Sequence, residues 1–277
     1  MVSILVRFFK RFAVLIPGLA VAYFVTVGVY PFLDRNTPTA FAVLVAYIIA
    51  AYIFIPLLLR VIRFFIRPKH IPLYCVTPDG FASDPINIGI EGTREQIIKA
   101  MTEAGWHLAD KRTVRTVGKM VISYILKRPY LNAPFSNLFL FGRRQDIGFQ
   151  LPVKNQPNHR HHVRFWANQP KLPKDVEADL KFWQKHTPGN APSKPVLWVG
   201  AASRDVGLAI IRHNAQFTHM IDPDTNAERN LIAKHLKQTN LVKETRSVKL
   251  GEPYSLVNRV LRGKLHADGK MTILTLK

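Results

Sequence analysis

The sequence has little cysteine and little negative charge. Its single cysteine, Cys75, excludes an internal disulfide framework and any zinc site built from clustered cysteines. The chain has no Walker A loop and no complete Gly-x-Gly-x-x-Gly motif, so the common nucleotide-binding loops are absent. Ser203 follows Gly200 and two alanines but lacks the glycine that a nucleophile elbow requires after the serine.

Positive charge is abundant, with 39 Lys and Arg against 18 Asp and Glu and a formal net charge of +21. Such an excess is typical of proteins that bind nucleic acid or an anionic membrane surface. No helix-turn-helix signature stands out, so we expect nucleic acid not to be the partner. Hydrophobic residues make up 48% of the chain, which excludes intrinsic disorder.

Two long uncharged runs, residues 12–33 and 39–59, occupy the N-terminal part of the chain. At 1.5 Å per residue, a helix over either run would span about 30 Å, the thickness of a bilayer core. Only residues 34–38 separate the runs, so they predict an antiparallel transmembrane hairpin. The alternative is a signal peptide cleaved after Ala22, but the apolar run continues to Leu33, past the usual length of such signals.

Basic residues flank both runs and set the expected orientation. They are Arg7, Lys10 and Arg11 before the first run, and Arg60, Arg63, Arg67 and Lys69 after the second. The positive-inside rule then places both ends in the cytoplasm, with anionic headgroups as partners of the basic flanks. We expect an integral protein of a bacterial inner membrane, with residues 1–72 as hairpin and linker and residues 73–277 as one cytoplasmic domain.

The second part of the chain predicts a mixed α/β (α+β) domain with a central sheet. Capping-box patterns at Thr93–Gln96 and Thr225–Glu228 predict the starts of two helices, and residues 174–186 predict another. Residues 113–127 are compatible with either a helix or a strand. Alternating or short apolar runs predict strands at residues 137–142, 147–153, 160–166, 196–201, 241–250 and 271–276.

Four polar clusters lie beside predicted strands, at residues 142–146, 159–166, 198–205 and 218–224. In the second cluster, strand alternation places Val163 and Phe165 on the core face, with His161 beside them. The other face then presents Arg160, His162, Arg164 and Trp166. Two arginines in such a row can bind phosphate, although a strand face paired with neighbouring carboxylates is an equally open interpretation.

The fourth cluster combines His219, Asp222 and Asp224 just before a predicted helix. Either Asp224 or Thr225 is expected to be the N-cap of that helix, and this structural role accounts for one of the two carboxylates. His219 and Asp222 remain, and this pair suits either a divalent metal or acid–base catalysis. The residues do not decide between a metal and no metal, and they identify no cofactor.

Ordered blocks at residues 104–106, 109–110, 141–146, 160–166, 198–202 and 218–229 resemble the LssY C-terminal domain family. The resemblance covers about residues 84–241. It implies a domain that often follows membrane modules, such as PAP2-type phosphatase and DedA-type segments, neither of which is present here. It implies no biochemical activity, and the family pattern would have a second histidine where this chain has Met220.

Two hypotheses of different classes follow. The first is an enzyme acting on a phosphate-bearing lipid or headgroup at the inner leaflet. The second is a non-catalytic, membrane-tethered module that binds an anionic ligand or a partner protein, including a membrane protein. The residues expected to bind substrate are Arg143, Arg144, Asp146, Arg160, Arg164 and Arg204. The residues expected to act in catalysis are His161, His162, Asp205, His219 and Asp222. We expect one concave basic pocket to contain Arg160, His162, Arg164, Asp205, His219 and Asp222.

Overall fold

A computed structural model divides the chain into two compact units. The N-terminal unit comprises Met1–Arg67 with Pro78–Phe81, and the main unit comprises Pro68–Thr77 with Ala82–Lys277. The residues that the structure describes are 19–35, 37–55, 57–58, 71–78, 80–126, 128, 130–140, 142–153, 159–168, 195–210, 217–258 and 263–277. The basic flank at residues 60–69 and the helix predicted at 174–186 lie outside these ranges.

The N-terminal unit is helical in its described residues. Helix α1 covers Tyr30–Asp34 and α2 covers Thr39–Ile49, while π-helical turns cover Val25–Val29 and Ala50–Phe54. Within the ranges given above, no helix has both the length and the apolar character needed to cross a bilayer. The transmembrane hairpin predicted from the two apolar runs is therefore not supported.

The main unit is a mixed α/β domain, as predicted. Its helices are α3 (Arg94–Glu103), α4 (Val114–Ile125) and α5 (Thr225–Gln238). Its described strands are β1 (Tyr74–Val76), β2 (Ala82–Pro85), β3 (Ile88–Gly92), β4 (His107–Leu108), β5 (Phe139–Leu140), β6 (Arg143–Arg144), β7 (Ile147–Pro152), β8 (His159–Ala167), β9 (Val196–Ile210), β10 (Phe217–Ile221), β11 (Val242–Lys249), β12 (Tyr254–Asn258), β13 (Gly263–Ala267) and β14 (Lys270–Leu276).

The largest sheet has the strand order β11-β14-β3-β9-β8-β7-β4, and β10 pairs with β9 beyond the end of β3, on the edge opposite β8. Its described strands pair antiparallel except for the parallel pair of β14 and β3. The strand predicted at residues 196–201 is confirmed as central, but β9 continues to Ile210 and so supports β3, β8 and β10 in turn. Smaller sheets have the orders β2-β1-β5-β6 and β12-β13.

The sequence predicts a turn at residues 143–146, between the strands predicted at 137–142 and 147–153, but the chain reverses elsewhere. Arg143 and Arg144 form β6 and pair with β5, so the chain reverses before them, at Gly142. Gly142 has a φ of 76°, in the left-handed region where glycine has no side chain to clash. The hairpin therefore projects from β5 and β6 rather than from β7.

The sheet is apolar on both faces over much of its area. One face packs on α3 and α5 through residues that include Ile90, Phe165, Trp198 and Ile232. The other face packs on the β1/β2/β5 sheet through residues that include Cys75, Leu140, Val199 and Ile273. We call these the helix face and the small-sheet face. Because strand residues alternate between faces, any polar row on β8 must lie under one of these two layers.

Helix α3 begins as the sequence predicts. Thr93 and Gln96 form a reciprocal capping box, in which the Thr93 hydroxyl accepts from Gln96 N and Gln96 Oε1 accepts from Thr93 N. The helix ends before Gly105, which has a φ of 83°. The helix predicted at this place is thus confirmed at both ends.

Helix α5 begins one residue earlier than the predicted capping box implies. Asp224 is the N-cap, and its carboxylate accepts hydrogen bonds from Asn226 N and Ala227 N. The box predicted between Thr225 and Glu228 is wrong, because both side chains bond outside the helix terminus. Asp224 therefore has a structural role, as the sequence allowed.

Candidate functional site

The paired strands β8 and β9 place a row of polar side chains on the small-sheet face. Arg160, His162 and Arg164 alternate along β8 on this face, as predicted. Their partners across to β9 are Asp205, Ser203 and Ala201 respectively. Arg160, His162 and Arg164 are at most 8% exposed, and Ser203 and Asp205 at most 2%. The row is a buried polar cluster rather than a solvated strand face.

His162 lies between a serine and a carboxylate. Its Nε2 is 2.9 Å from Ser203 Oγ, and its Nδ1 is 3.4 Å from Asp205 Oδ1. The first distance is that of a hydrogen bond, and the second is slightly long for one. The order serine, imidazole, carboxylate is the arrangement that activates a serine hydroxyl in acyl-transfer enzymes.

A second carboxylate reaches the cluster from β2. Asp84 Oδ2 accepts a 2.7 Å hydrogen bond from Arg164 Nη1 and lies 3.4 Å from His162 Nε2. Burial alone would raise the pKa of Asp84, but Arg164 and hydrogen bonds from His162 and Ser203 together lower it to about 2. Asp84 is therefore a carboxylate at any ordinary pH.

The Ser203 hydroxyl has two acceptors within reach, because it contacts His162 and also hydrogen-bonds Asp84. It carries one proton, so it donates to only one acceptor at a time. When it donates to His162 Nε2, the histidine is placed to act as a base. When it donates to Asp84, the histidine Nε2 must itself carry a proton and donate to the serine oxygen.

The two arginines are each held by a carboxylate. Arg160 Nε donates to Asp205 Oδ2 at 2.9 Å, and Arg160 Nη1 donates to Gln150 Oε1 at 2.8 Å. Arg164 pairs with Asp84 as described above. Two positive and two negative charges therefore balance, so the cluster is neutral when His162 is neutral. Unbalanced buried charge would be costly, and this pairing explains how the row tolerates burial.

Phe135 covers the row from the loop between α4 and β5. Its ring centroid is 5.1 Å from the guanidinium carbon of Arg160, 4.9 Å from that of Arg164 and 5.7 Å from the imidazole centroid of His162. Gly148 of β7 leaves room for this ring, since a Cβ there would lie 2.5 Å from Phe135 Cε2. The ring, itself buried, thus stacks against both guanidinium groups and the imidazole of the row.

Two nitrogen atoms of the cluster, His162 Nδ1 and Arg164 Nε, are buried and have no hydrogen-bond partner among the residues that the structure describes. Native proteins leave few buried polar atoms unsatisfied, and each such atom is a place where a ligand or water is expected. Both atoms belong to the face that Phe135 covers. They are the strongest indication within the cluster of a group that binds there.

The other predicted residues do not join this cluster. His161 lies on the helix face, where its Nδ1 is 2.8 Å from Glu228 Oε2. Arg204 faces the same way as His161, its partner across the strands, and its Nη1 is 3.7 Å from Asp222 Oδ2 near the surface. Of the six residues expected in one pocket, four lie together on the small-sheet face, whereas Asp222 lies beside Arg204 and the side chain of His219 is not described.

Three further predicted residues belong to the β6 region. Arg143 pairs with Asp146, whose Oδ2 also accepts a 2.8 Å hydrogen bond from Ala167 N. Arg143 O accepts from Trp166 Nε1 at 3.1 Å, so this pair joins β6 to the end of β8. Arg144 is exposed. These contacts account for Arg143 and Asp146 as structural residues, apart from the buried polar cluster.

The backbone of His219 on β10 pairs with Leu208 on β9, but the side chain of His219 is not among the parts that the structure describes. Among the residues that are described, no group of three or more His, Cys, Asp or Glu side chains is arranged to hold a metal ion. The metal hypothesis built on His219 and Asp222 thus gains no support from the described part.

Sequence reasoning missed Asp84, Ser203, Gln150 and Phe135. Ser203 lies two residues before Asp205, so strand alternation alone would have put the two on one face of their strand. Asp84 and Phe135 come from separate segments with no periodic pattern, so only the tertiary fold identifies them. Gln150 is opposite His162 in the register of β7 and β8.

Comparison with protein families gives one match over most of the chain. Residues 68–271 match the model of a family described as the LssY C-terminus. The match covers the segments that carry Asp84, His162 and Ser203. No curated protein and no solved structure matches the chain.

Proposed function

Because the chain belongs to the LssY C-terminus family, whose membership specifies no activity, we propose a function from the buried polar cluster itself. We propose that the main unit is a hydrolase that cleaves a phosphate ester, with Ser203 as nucleophile and His162 as general base. The observation that carries this proposal is the 2.9 Å contact between Ser203 Oγ and His162 Nε2, with Asp205 behind the imidazole.

The proposed reaction has two steps. First, Ser203 Oγ bonds to phosphorus and the bond from phosphorus to the leaving oxygen breaks, while the serine proton passes through His162 Nε2 to that oxygen. Second, the oxygen of a water molecule bonds to phosphorus and the Oγ–phosphorus bond breaks. His162 takes the proton of that water and returns it to Oγ. Asp205 stabilises the imidazolium that forms in each step.

The cationic residues support a phosphate-bearing substrate over a neutral ester. Arg160 and Arg164 flank His162, and guanidinium groups bind phosphate oxygens in a bidentate way. Arg164 Nε is buried and has no hydrogen-bond partner among the described residues. A phosphate at this place would compete with Asp84 and Asp205 for the arginines, so binding requires that these ion pairs rearrange.

Substrate entry requires Phe135 to move, since its ring covers the row. A Gly148→Ala variant is expected to displace the ring, because the added Cβ would lie 2.5 Å from Phe135 Cε2. We expect this variant to alter the KM for substrate more than kcat. Gly200→Ala is the matched control, because its Cβ would meet Phe165 on the helix face instead.

The experiment uses the full chain, purified in detergent, with p-nitrophenyl phosphate, bis(p-nitrophenyl) phosphate and p-nitrophenyl acetate as substrates. Ser203→Ala is expected to lower kcat on the phosphate substrate by at least about a hundredfold, the usual scale for a nucleophile with its base. Ser247→Ala, which changes an exposed serine on β11, should leave turnover unchanged. Thermal unfolding of each variant checks that the fold is intact.

A second candidate is a non-catalytic module that binds an anion or a partner protein. The complete burial of the cluster and the pairing of each arginine with a carboxylate favour this function. If the wild type shows turnover and Ser203→Ala leaves that turnover unchanged, the serine hydrolase is rejected. Absence of turnover on every substrate, in wild type and in Gly148→Ala, would favour the module.

We further propose that the apolar N-terminal runs attach the chain to the bacterial inner membrane, with the main unit in the cytoplasm. This is supported by large exposed apolar side chains in the N-terminal unit, among them Phe32, Tyr23 and Leu19 at 70%, 68% and 62% exposure. Resistance of the chain to alkaline carbonate extraction tests attachment. Reporters fused after Lys277 and inserted at Asn36 test the orientation, and a cytoplasmic signal at Asn36 would contradict it.

A further inference from the structure

Helix α4 carries an apolar stripe that nothing in the catalytic proposal uses. At 100° per residue, one side of the helix presents Val114, Val117, Val121 and Ile125. The opposite side presents Arg115, Lys119 and Ser123. Such a division between an apolar and a cationic side is that of a helix lying along a boundary between water and a less polar phase.

Three of the four residues on the apolar side of α4 are exposed, Val114 at 92%, Ile125 at 70% and Val121 at 49%, while Val117 is half-buried. Ile122, which borders this side next to Arg115, is 57% exposed. Single exposed apolar residues are ordinary, but four large ones on adjacent turns of one helix form a patch that usually marks an interaction surface. Leu126, directly after the helix, is also 56% exposed and extends the patch.

The charge of this segment points to an anionic partner. Residues 111–131 contain six Lys and Arg and no Asp or Glu. A helix that binds in a protein groove has no need for such a one-sided charge, whereas a headgroup layer of anionic lipid attracts each cation near its surface. Charge and apolar pattern therefore favour the same partner.

The helix is well defined before any partner binds. Thr113 and Thr116 cap it reciprocally, each hydroxyl accepting from the backbone N–H of the other. Asp110, just before the helix, is hydrogen-bonded to the chain that follows it: Asp110 N donates to Asn132 O, and the Asp110 carboxylate accepts from Tyr130. Docking therefore requires little ordering of the chain, which lowers its entropic cost.

We infer that α4 lies in the interface of an anionic membrane, with Val114, Val121 and Ile125 at the acyl boundary and Arg115 and Lys119 among the headgroup phosphates. The inference does not depend on catalysis at Ser203. It also does not depend on the apolar runs of the N-terminal unit, because α4 belongs to the main unit.

The test places a fluorescent probe on each side of α4 in the full chain. The native Cys75 is fully buried, so probes attach selectively to Ile125→Cys or to Lys119→Cys. The chain is reconstituted into phosphatidylcholine vesicles with or without phosphatidylglycerol. We expect lipids brominated in the acyl chains to quench the probe at position 125 in anionic vesicles, and to leave the probe at position 119 unquenched.

A charge variant supplies the second measurement. Arg115→Glu with Lys119→Glu removes two cations, each of which contributes a factor of about five to binding at an anionic surface, so the docking constant should fall at least about 25-fold. Lys243→Glu with Lys264→Glu makes the same charge change at exposed positions on β11 and β13 and should have little effect. All four positions are exposed, so the fold should persist.

The inference is overturned if the probe at position 125 stays accessible to aqueous iodide in anionic vesicles. Shielding of that probe only after solubilised membrane proteins are added would also overturn it, and would assign the helix to a protein groove. Equal quenching in neutral and anionic vesicles would contradict the preference for anionic lipid and the contacts of Arg115 and Lys119 with headgroup phosphates.

Discussion

Replacing Asp84 with asparagine should destabilise the main unit far more than the same change at a partly exposed carboxylate. The asparagine keeps the size of the side chain but removes the charge that balances Arg164. Arg164 is 5% exposed, so its charge would remain buried without a partner. Breaking a buried ion pair in this way costs about 3–5 kcal/mol of the free energy of unfolding.

The same carboxylate predicts a dependence of stability on pH. The pKa of Asp84 is lowered from 3.8 to about 2 in the folded chain. A depressed pKa contributes stability that is present above the unfolded value and is lost as pH falls from about 4 to about 2. The shift corresponds to about 2 kcal/mol, and the Asp84→Asn variant should lack this part of the acid dependence.

The assay is chemical denaturation followed by tryptophan fluorescence, at neutral pH and at points down to pH 2. Asp222→Asn is the matched control, because Asp222 lies 3.7 Å from Arg204 in a partly exposed pair whose loss should cost about 0–1 kcal/mol. Asp84→Asn with Arg164→Met removes both charges and should recover most of the lost stability. A single variant as stable as Asp222→Asn, or a double variant no better than the single, would refute the reasoning.

Three further changes have expected outcomes. Gly200→Ala should cost about 1–3 kcal/mol in chemical denaturation, because its Cβ would lie 2.6 Å from the buried ring of Phe165; wild-type stability would contradict this. Asp224→Ala should cost about 1 kcal/mol through loss of the α5 N-cap, whereas Asp224→Ser should restore most of it, and equal losses would exclude capping as the cause. The pKa of His235 is already lowered, by burial first, and Glu228 opposes that shift; Glu228→Gln should therefore lower it further in an NMR titration, and a rise would contradict this.

The arrangement of β8 was predictable because strands have a strict two-residue period. That period separates His161 from His162 and correctly places Arg160 and Arg164 beside His162. Both histidines were candidates for catalysis, and they lie under opposite layers of the sheet. Asp222 was expected in the same pocket through the loop that carries His219, but its carboxylate lies beside Arg204, which faces the other way.

Other features lie beyond local pattern. Asp84 meets Arg164 across 80 residues of chain, and that contact depends on how the small sheet packs on the large one. Residues 113–127 were compatible with a helix or a strand, because their β-branched residues favour strands whereas their spacing also fits a helix, and Val114–Ile125 form α4. The apolar runs at residues 12–33 and 39–59 predict long helices by composition, whereas backbone hydrogen bonding there changes to π-helical turns at Val25 and Ala50.

The position of β14 has a consequence for how the domain is made on the ribosome. β14 follows the other described strands in sequence, yet it lies inside the large sheet, hydrogen-bonded to β11 on one side and to β3 on the other. Until residues 270–276 have left the ribosome, both of those strands have an open edge, and buried β14 residues such as Ile273 are missing from the core. The large sheet is therefore complete only after synthesis has passed residue 276. Until then the chain has exposed strand edges and must avoid aggregation.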